Sequence, residues 1–304
     1  MISGIEEQKR VHRLQVAQER KFEQTYIQSM KKLQDQVSKQ KIRDSLNSGG
    51  AGSDLIVSYV DWKNALSPLN QDIAETTTLA ANQGVKFLSQ PARSKAVYDP
   101  LDPGAISRLQ SDVEKMNGQV IPQSMEALSI ATRDMSRNNV KVNQAVSMII
   151  PMIGLNKPQV THLTGVRAAM IEDGMSDKLV ASRIRTMANG KLRERSESIA
   201  ITTLTESVNG GRQEMWNQQF GKNILDPNTQ FNKWITSLDE RTCSLCAPMH
   251  GQVVRVGEPF SNGYVSPPRH SRCRCSLVLR HYNPASQAYP SRIPRSPLLD
   301  IPRF

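Results

Sequence analysis

The 304-residue chain is 38% hydrophobic, 22% charged and 5% aromatic, enough for one sizeable core plus an appendage or for two domains. No apolar run approaches the roughly 20 residues that span a bilayer, and the longest candidate, 146–153, is broken by Pro151. The net charge of +11 fits either a solvated surface or affinity for a polyanion such as DNA. Met1–Glu7 lacks the apolar core of a signal peptide, so a cytoplasm-like compartment is expected.

Residues 1–47 are polar and helix-prone, and Val11, Leu14, Phe22, Tyr26, Met30, Leu33 and Val37 recur at steps of mostly three and four. The spacing predicts one long amphipathic helix ending near Asn47, before the break Ser48-Gly49-Gly50-Ala51-Gly52-Ser53. Its stripe suits either a partner or the next helix. Further helix is predicted over 54–90, with Leu55, Tyr59 and Trp62 on one face and a kink or restart at Pro68. Ile73, Leu79 and Phe87 continue that helix, and 91–103 reads as loop. Short helices are predicted over 105–117 and 122–150, with Pro122 in a first turn. Pro151, Gly154 and Pro158 mark a boundary, beyond which helices are predicted over 159–172, 177–189 and 191–220, with Ser176 as an N-cap.

After Gly221 the character changes. Residues 234–238 and 251–256 alternate as short strands do, and glycine and proline become frequent. Beyond Arg280, Pro284, Pro290, Pro294, Pro297 and Pro302 predict an extended tail. From Arg241 onward there are nine arginines, two acids (Glu258 and Asp300) and no lysine, a candidate DNA-facing surface. The predicted architecture is α+β and mainly α-helical. It comprises a helical, partner-binding arm over 1–150, a helical part over 151–221, a small stapled β-rich part over 222–280 and a Pro/Arg-rich tail over 281–304.

All four cysteines lie in the part over 222–280: Cys243-Ser-Leu-Cys246, then 26 residues, then Cys273-Arg-Cys275, with His270 three positions before Cys273. A Cys-x-x-Cys turn aims two thiolates at one centre, and positions i and i+2 of an extended strand share a face, so Cys273 and Cys275 can complete a tetrahedron. Five donors compete for four places; the four cysteines are favoured, with His270 replacing one or lying just outside the shell. Zinc is the default ion and iron the alternative. Free thiols, disulfides and dithiol redox chemistry are the competing readings, but the βαβ setting of a redox dithiol is missing. Trp234, Leu238, Val253 and Leu277 are expected beside the knot, with 154–221 behind it.

Four sulfur ligands would close the shell to water, so an enzyme is not expected. Asp239, Glu240 and His250 flank the cluster without a His-Glu-x-x-His pattern. A nuclease of the His-Asn-His type also uses a zinc knuckle, which makes His250 and His270 the residues to test.

The segment running from Trp234 through Asp239, Thr242, Cys243, Cys246 and Gly251 to Pro267-Pro268-Arg269-His270-Ser271-Arg272-Cys273-Arg274-Cys275 resembles the head morphogenesis domain of Mu F-like phage minor head proteins. Upstream, Gly154-Leu155 with Gln159, Asp173-Gly174-Met175-Ser176, 195–200 and Asn209-Gly210-Gly211-Arg212 are similar to the family's opening, helix junction and central helix, so the resemblance covers about 154–279. Where the family usually reads Ile-Ala-Arg-Thr-Glu, this chain has Ile199-Ala200-Ile201-Thr202-Thr203, which implies that an ion pair there is absent or moved to Glu206. The resemblance implies a structural head protein at the portal vertex, present in few copies and needed for head assembly and DNA packaging or delivery. The portal protein is its expected partner and the major capsid protein a second candidate. It would reside in the virion, and in the host cytoplasm during assembly.

Overall fold

The computed structural model describes residues 4–49, 52–237 and 242–281. Among these, the α-helices come first: α1 (Gly4–Asp35), α2 (Lys39–Asn47), α3 (Ser53–Ile56), α4 (Tyr59–Val85), α5 (Gln90–Arg93), α6 (Pro103–Arg137), α7 (Val142–Ile149), α8 (Lys157–Glu172) and α9 (Asp177–Gly221). Three short strands follow, β1 (Gln230–Ile235), β2 (Val253–Arg255) and β3 (Ser276–His281), in one antiparallel sheet of order β2-β1-β3. The class is α+β and mainly helical, as predicted. No helix among the described residues is long and apolar enough to cross a membrane.

Helix ends depart from the sequence reading for local reasons. Residues 1–47 form two helices, because Ser38 caps α2 by accepting the Lys41 amide at 3.2 Å. Pro68 sits inside α4 without ending it. A proline frees the carbonyl four residues back, here that of Asn64, and the Ser67 hydroxyl donates to that oxygen at 2.8 Å. Pro122 lies inside α6, where the predicted short helices are joined; the carbonyl it frees belongs to Gly118, and both residues are exposed to water. The predicted helices on either side of Gly190 are likewise one helix of 45 residues, since an isolated glycine lowers helix propensity by only about 1 kcal/mol. Leu55 and Tyr59 are exposed, and the buried face of α4 is instead Trp62, Leu66, Leu69 and Ile73.

The chain divides into two compact units, neither of them a single stretch. One comprises Arg20–Gln71 and Val113–Ile199. Its fully buried side chains include Phe22, Tyr26 and Met30 of α1, Trp62 and Leu66 of α4, Ile121 of α6, Leu163 of α8 and Ile184 of α9. The stripe predicted on α1 is therefore interior. Asn156 and Gln159 form a reciprocal capping box that starts α8. Just before it, Gly154 takes φ +96°, a conformation that favours glycine, and its carbonyl accepts from the Tyr26 hydroxyl at 3.0 Å.

The other unit comprises residues up to Glu19, Asp72–Asp112 and the chain from Ala200 onward, and it holds the whole sheet. Its core joins Ala81, Tyr98, Met215 and Trp216 to Trp234, Phe260, Leu277 and three of the cysteines. Trp234 meets Phe260 edge to face with ring centroids 5.2 Å apart. Val254 of β2, rather than Val253, packs against this core, a shift of one residue that exchanges faces along a strand. Leu238 lies outside the described residues, as do the tail prolines.

Replacing Tyr26 by Phe leaves the buried Gly154 carbonyl without its donor. The expected loss is about 1–2 kcal/mol of folding stability, read from chemical denaturation; a loss indistinguishable from zero would show that the hydroxyl contributes nothing there.

Candidate metal centre

The five predicted donors converge. Cys243, Cys246 and His270 form one trio and Cys246, Cys273 and Cys275 a second, the ligand atoms in each lying within 4.8 Å of one another, and Cys246 belongs to both. The turn from Cys243 to Cys246 is closed by amides of Cys246 and Ala247 donating to the Cys243 carbonyl, each at 3.0 Å. Cys246, Cys273 and Cys275 are buried and Cys243 is half-buried. Cys273 and Cys275 precede β3 rather than lying in it, with Arg272 at φ +61° turning the chain into that stretch.

Donor chemistry and spacing fit a tetrahedral ion. Ligands at a zinc–sulfur distance of about 2.3 Å lie about 3.8 Å apart around a tetrahedron, and the sulfurs of Cys246 and Cys273 are 3.9 Å apart. His270 Nε2 lies 3.1 Å from the Cys243 sulfur and 3.0 Å from that of Cys246. Its Nδ1 lies 2.7 Å from the Ser271 carbonyl, which can only accept. The ring proton is thus held on Nδ1, and the Nε2 lone pair faces the thiols, the tautomer a metal-binding imidazole needs. His270 is part of the cluster's inner face.

Crowding three thiols in one dry site separates their acidities. Hydrogen bonds with Cys273 and Cys275, then burial, push the Cys246 thiol far up. Those from Cys246 and Cys275 bring Cys273 down to about 2. Mutual hydrogen bonding thus favours one shared thiolate in the trio, and a cation is what would draw further protons from the set.

The scaffold behind the cysteines is polar. Thr205 Oγ1 donates to the Cys273 carbonyl at 2.6 Å. Asn209 donates to the Cys275 carbonyl at 3.1 Å and accepts the Leu277 amide at 2.8 Å. Arg212 donates to the Leu277 carbonyl at 2.7 Å, and the Arg272 amide reaches Thr202 Oγ1 at 2.9 Å. These residues all lie on one face of α9, and Thr205, Asn209 and Arg212 are fully buried. Gly211 is required beside them because a Cβ there would strike the Thr77 backbone. Glu206 pairs with Arg108 at 3.7 Å, so an ion pair does occupy the position to which the sequence comparison moved it.

From α1, Glu7 pairs with Arg212 and with Arg280 at 2.9 Å, Glu19 with Arg274 at 3.0 Å, and Gln8 bonds Ser276 and the Thr236 carbonyl. The sequence reading missed these buried polar residues, because hydrophobic periodicity carries no signal for them. The spacing of Thr205, Asn209 and Arg212 at steps of four and three was the available clue.

His250 stands apart from both trios. Its Nδ1 accepts from the Thr236 amide at 3.3 Å and fastens the knuckle to the end of β1. Burial, and then Lys233, hold its imidazole below the ordinary 6.5. Asp239, Glu240 and Arg241 lie outside the described residues.

Two tests follow from this geometry. Asn209→Ala removes both bonds to the cysteine-bearing stretch and should lower stability by about 2–3 kcal/mol, with metal affinity in chelator competition falling roughly tenfold or more; unchanged values for both would discard the supporting role. His250 is held neutral in the fold, so the unfolded chain binds more protons as pH falls below 6.5. Its contribution is present above that value and lost below it, and His250→Gln should flatten the acid limb of stability against pH; an unaltered limb would contradict this.

Residues 163–278 match the family model described as Phage Mu protein F like protein. No curated protein and no solved structure matches the chain. The match takes in the whole polar face of α9, the sheet up to Val278 and all five Cys/His donors. Residues 163–278 are therefore a Mu F-like domain of the phage head morphogenesis family.

Proposed function

We propose that the chain is a structural, non-enzymatic minor head protein of a tailed phage, seated at the portal vertex and needed for head assembly and DNA packaging or delivery. The observation that carries the reading is the coincidence of the Mu F-like match with a Cys/His cluster, able to hold a metal, built into the domain's core. A knot walled by Trp234, Met249, Phe260 and Leu277 suits a device that fixes shape. The engagement of His250 by Thr236 also supports a structural role over nuclease chemistry.

Zinc is the ion we assign, as a structural group. The orientation of His270 favours it as a ligand beside Cys243 and Cys246, the fourth place being taken by Cys273 or Cys275. When bound it supplies folding free energy on the order of 10 kcal/mol, which suits a three-stranded sheet whose edge strand β2 is only three residues long. Non-specific DNA contact through C-terminal arginines is the alternative reading, supported by the net charge of +11. Arg269, Arg274 and Arg280 spend hydrogen bonds on Leu245, Glu19 and Glu7, so such contact would draw on the remaining basic residues. Steep salt dependence of DNA affinity would mark it.

Averaged maps of purified particles should place this chain at the unique vertex, and elemental analysis of the unoxidised protein should give one zinc per chain. Cys246→Ser, which removes the donor shared by both trios, should abolish metal content and unfold the β-rich end. Density distributed over the whole shell, or no stoichiometric metal in the native protein, would overturn the corresponding half of the proposal.

A further inference from the structure

The segment between α5 and α6 is apolar, exposed and pinned. Leu101 is 77% exposed and Val97 66%, with Ile106 on the first turn of α6 exposed as well. Single exposed leucines are ordinary on protein surfaces; what sets these apart is how the backbone beneath them is held. The Gln218 side chain accepts the Asp99 amide at 2.9 Å and donates to the Asp99 carbonyl at 2.9 Å, a two-point clamp from a buried residue of α9. Gln219, fully buried, donates to the Val97 carbonyl at 3.1 Å. Between these clamps Tyr98 is anchored in the core. Asp99 then accepts the Leu101 amide at 2.9 Å, and Asp102 that of Gly104 at 2.8 Å.

A loose loop could fold Leu101 inward; this one is prevented from doing so at five hydrogen bonds. The ordering entropy of an interface loop, which ordinarily opposes association, is here already spent in folding. Charge surrounds the apolar tip on one side. Asp99, Asp102 and Glu214 converge on Tyr98, whose phenol is pushed up to about 12 by burial and then by these three carboxylates. On the other side, Lys222 reaches the Val97 carbonyl at 3.4 Å.

The geometry points to a docking knob: Leu101 and Val97 insert into an apolar socket on another protein, whose rim beside Asp99, Asp102 and Glu214 is basic. Preformed apolar anchors edged by charge are how specific contacts divide their labour, the apolar part contributing affinity and the charges choosing the partner. The acidic edge formed by Asp99, Asp102 and Glu214 calls for a partner protein that presents Lys or Arg beside its apolar socket, and a second copy of this chain is the outcome that the test separates from it.

The inference rests on the proposed function only in where the partner is sought. A photo-crosslinking residue is placed at Val97 in the full chain, and at Glu172 as an exposed control, in cells producing the particle. The expected result is one adduct from position 97, to a peptide of another protein that combines apolar residues with Lys or Arg. Adding Leu101→Asp should lower its yield about tenfold or more, the size expected of a central anchor, with the melting temperature unchanged. No adduct above the control, an adduct only with a second copy or with nucleic acid, a target peptide without basic residues, or indifference to Leu101→Asp would each overturn the knob. Recovery of the chain in purified particles is scored separately: particles that contain it but yield no adduct reject the knob alone, whereas absence from particles rejects the proposed function.

Discussion

The backbone from Cys273 to Leu277 is held by side chains of a helix rather than by a second strand on that side, and the geometry of the Cys/His cluster depends on this. Thr205, Asn209 and Arg212 take the polar groups of residues 273, 275 and 277 in order. Seven helical residues advance about 10.5 Å and four extended residues about 13 Å, so the two repeats run nearly in step. The reach of the arginine absorbs the difference. Because these donors and acceptors are buried, each bond removed would strand a backbone group in a dry interior, which is worth more than the bond's net contribution. The two cysteines are thereby fixed in direction before any ion arrives.

The same helix explains why the fold was only partly legible. The Cys and His spacing announced the cluster because metal ligation dictates residue type and local separation, and Trp234 and Leu277 could be placed beside it as large apolar residues flanking the knot. The strong stripe of Phe22, Tyr26, Met30 and Leu33 was readable for a similar reason, since apolar burial has a period. The stretch of α9 that faces the cysteines has no such signature. There the bonding side chains are Thr, Asn and Arg, and their partners lie some 65 residues or more along the chain, beyond the reach of any local window. Proline and glycine misled for the opposite reason. Ser67 satisfying the carbonyl freed by Pro68 is a side-chain detail, whereas the rule that proline ends helices is an average.

Basic composition also acquires a different meaning inside the fold. Arg212 is fully buried between the rings of Phe87 and Trp216, with its charge met by Glu7, and burial holds its guanidinium below the ordinary value. Glu7 is shared with Arg280, and Glu19 meets Arg274. Arginine is suited to this because its planar, weakly hydrated fork bonds a carboxylate and a carbonyl at once. Part of what reads as a polyanion-binding surface in the sequence is therefore internal cross-linking between α1, α9 and the residues around β3.

Buried ion pairs are weak evidence for stability, because desolvation offsets most of their attraction, but breaking one leaves a charge stranded. That asymmetry favours one arrangement over its neighbours more than it favours folding as such. In this unit it acts where apolar packing alone would leave register free: Glu7 and Gln8 meet Arg280 and Ser276, four residues apart on β3, and a slip of one residue would turn both to the wrong face. Register of β3 in turn sets where Cys275, one residue upstream, points its sulfur. Helix, strand and knot are thus aligned by polar groups chosen for position, and the ion would lock an alignment that the surrounding chain has already selected.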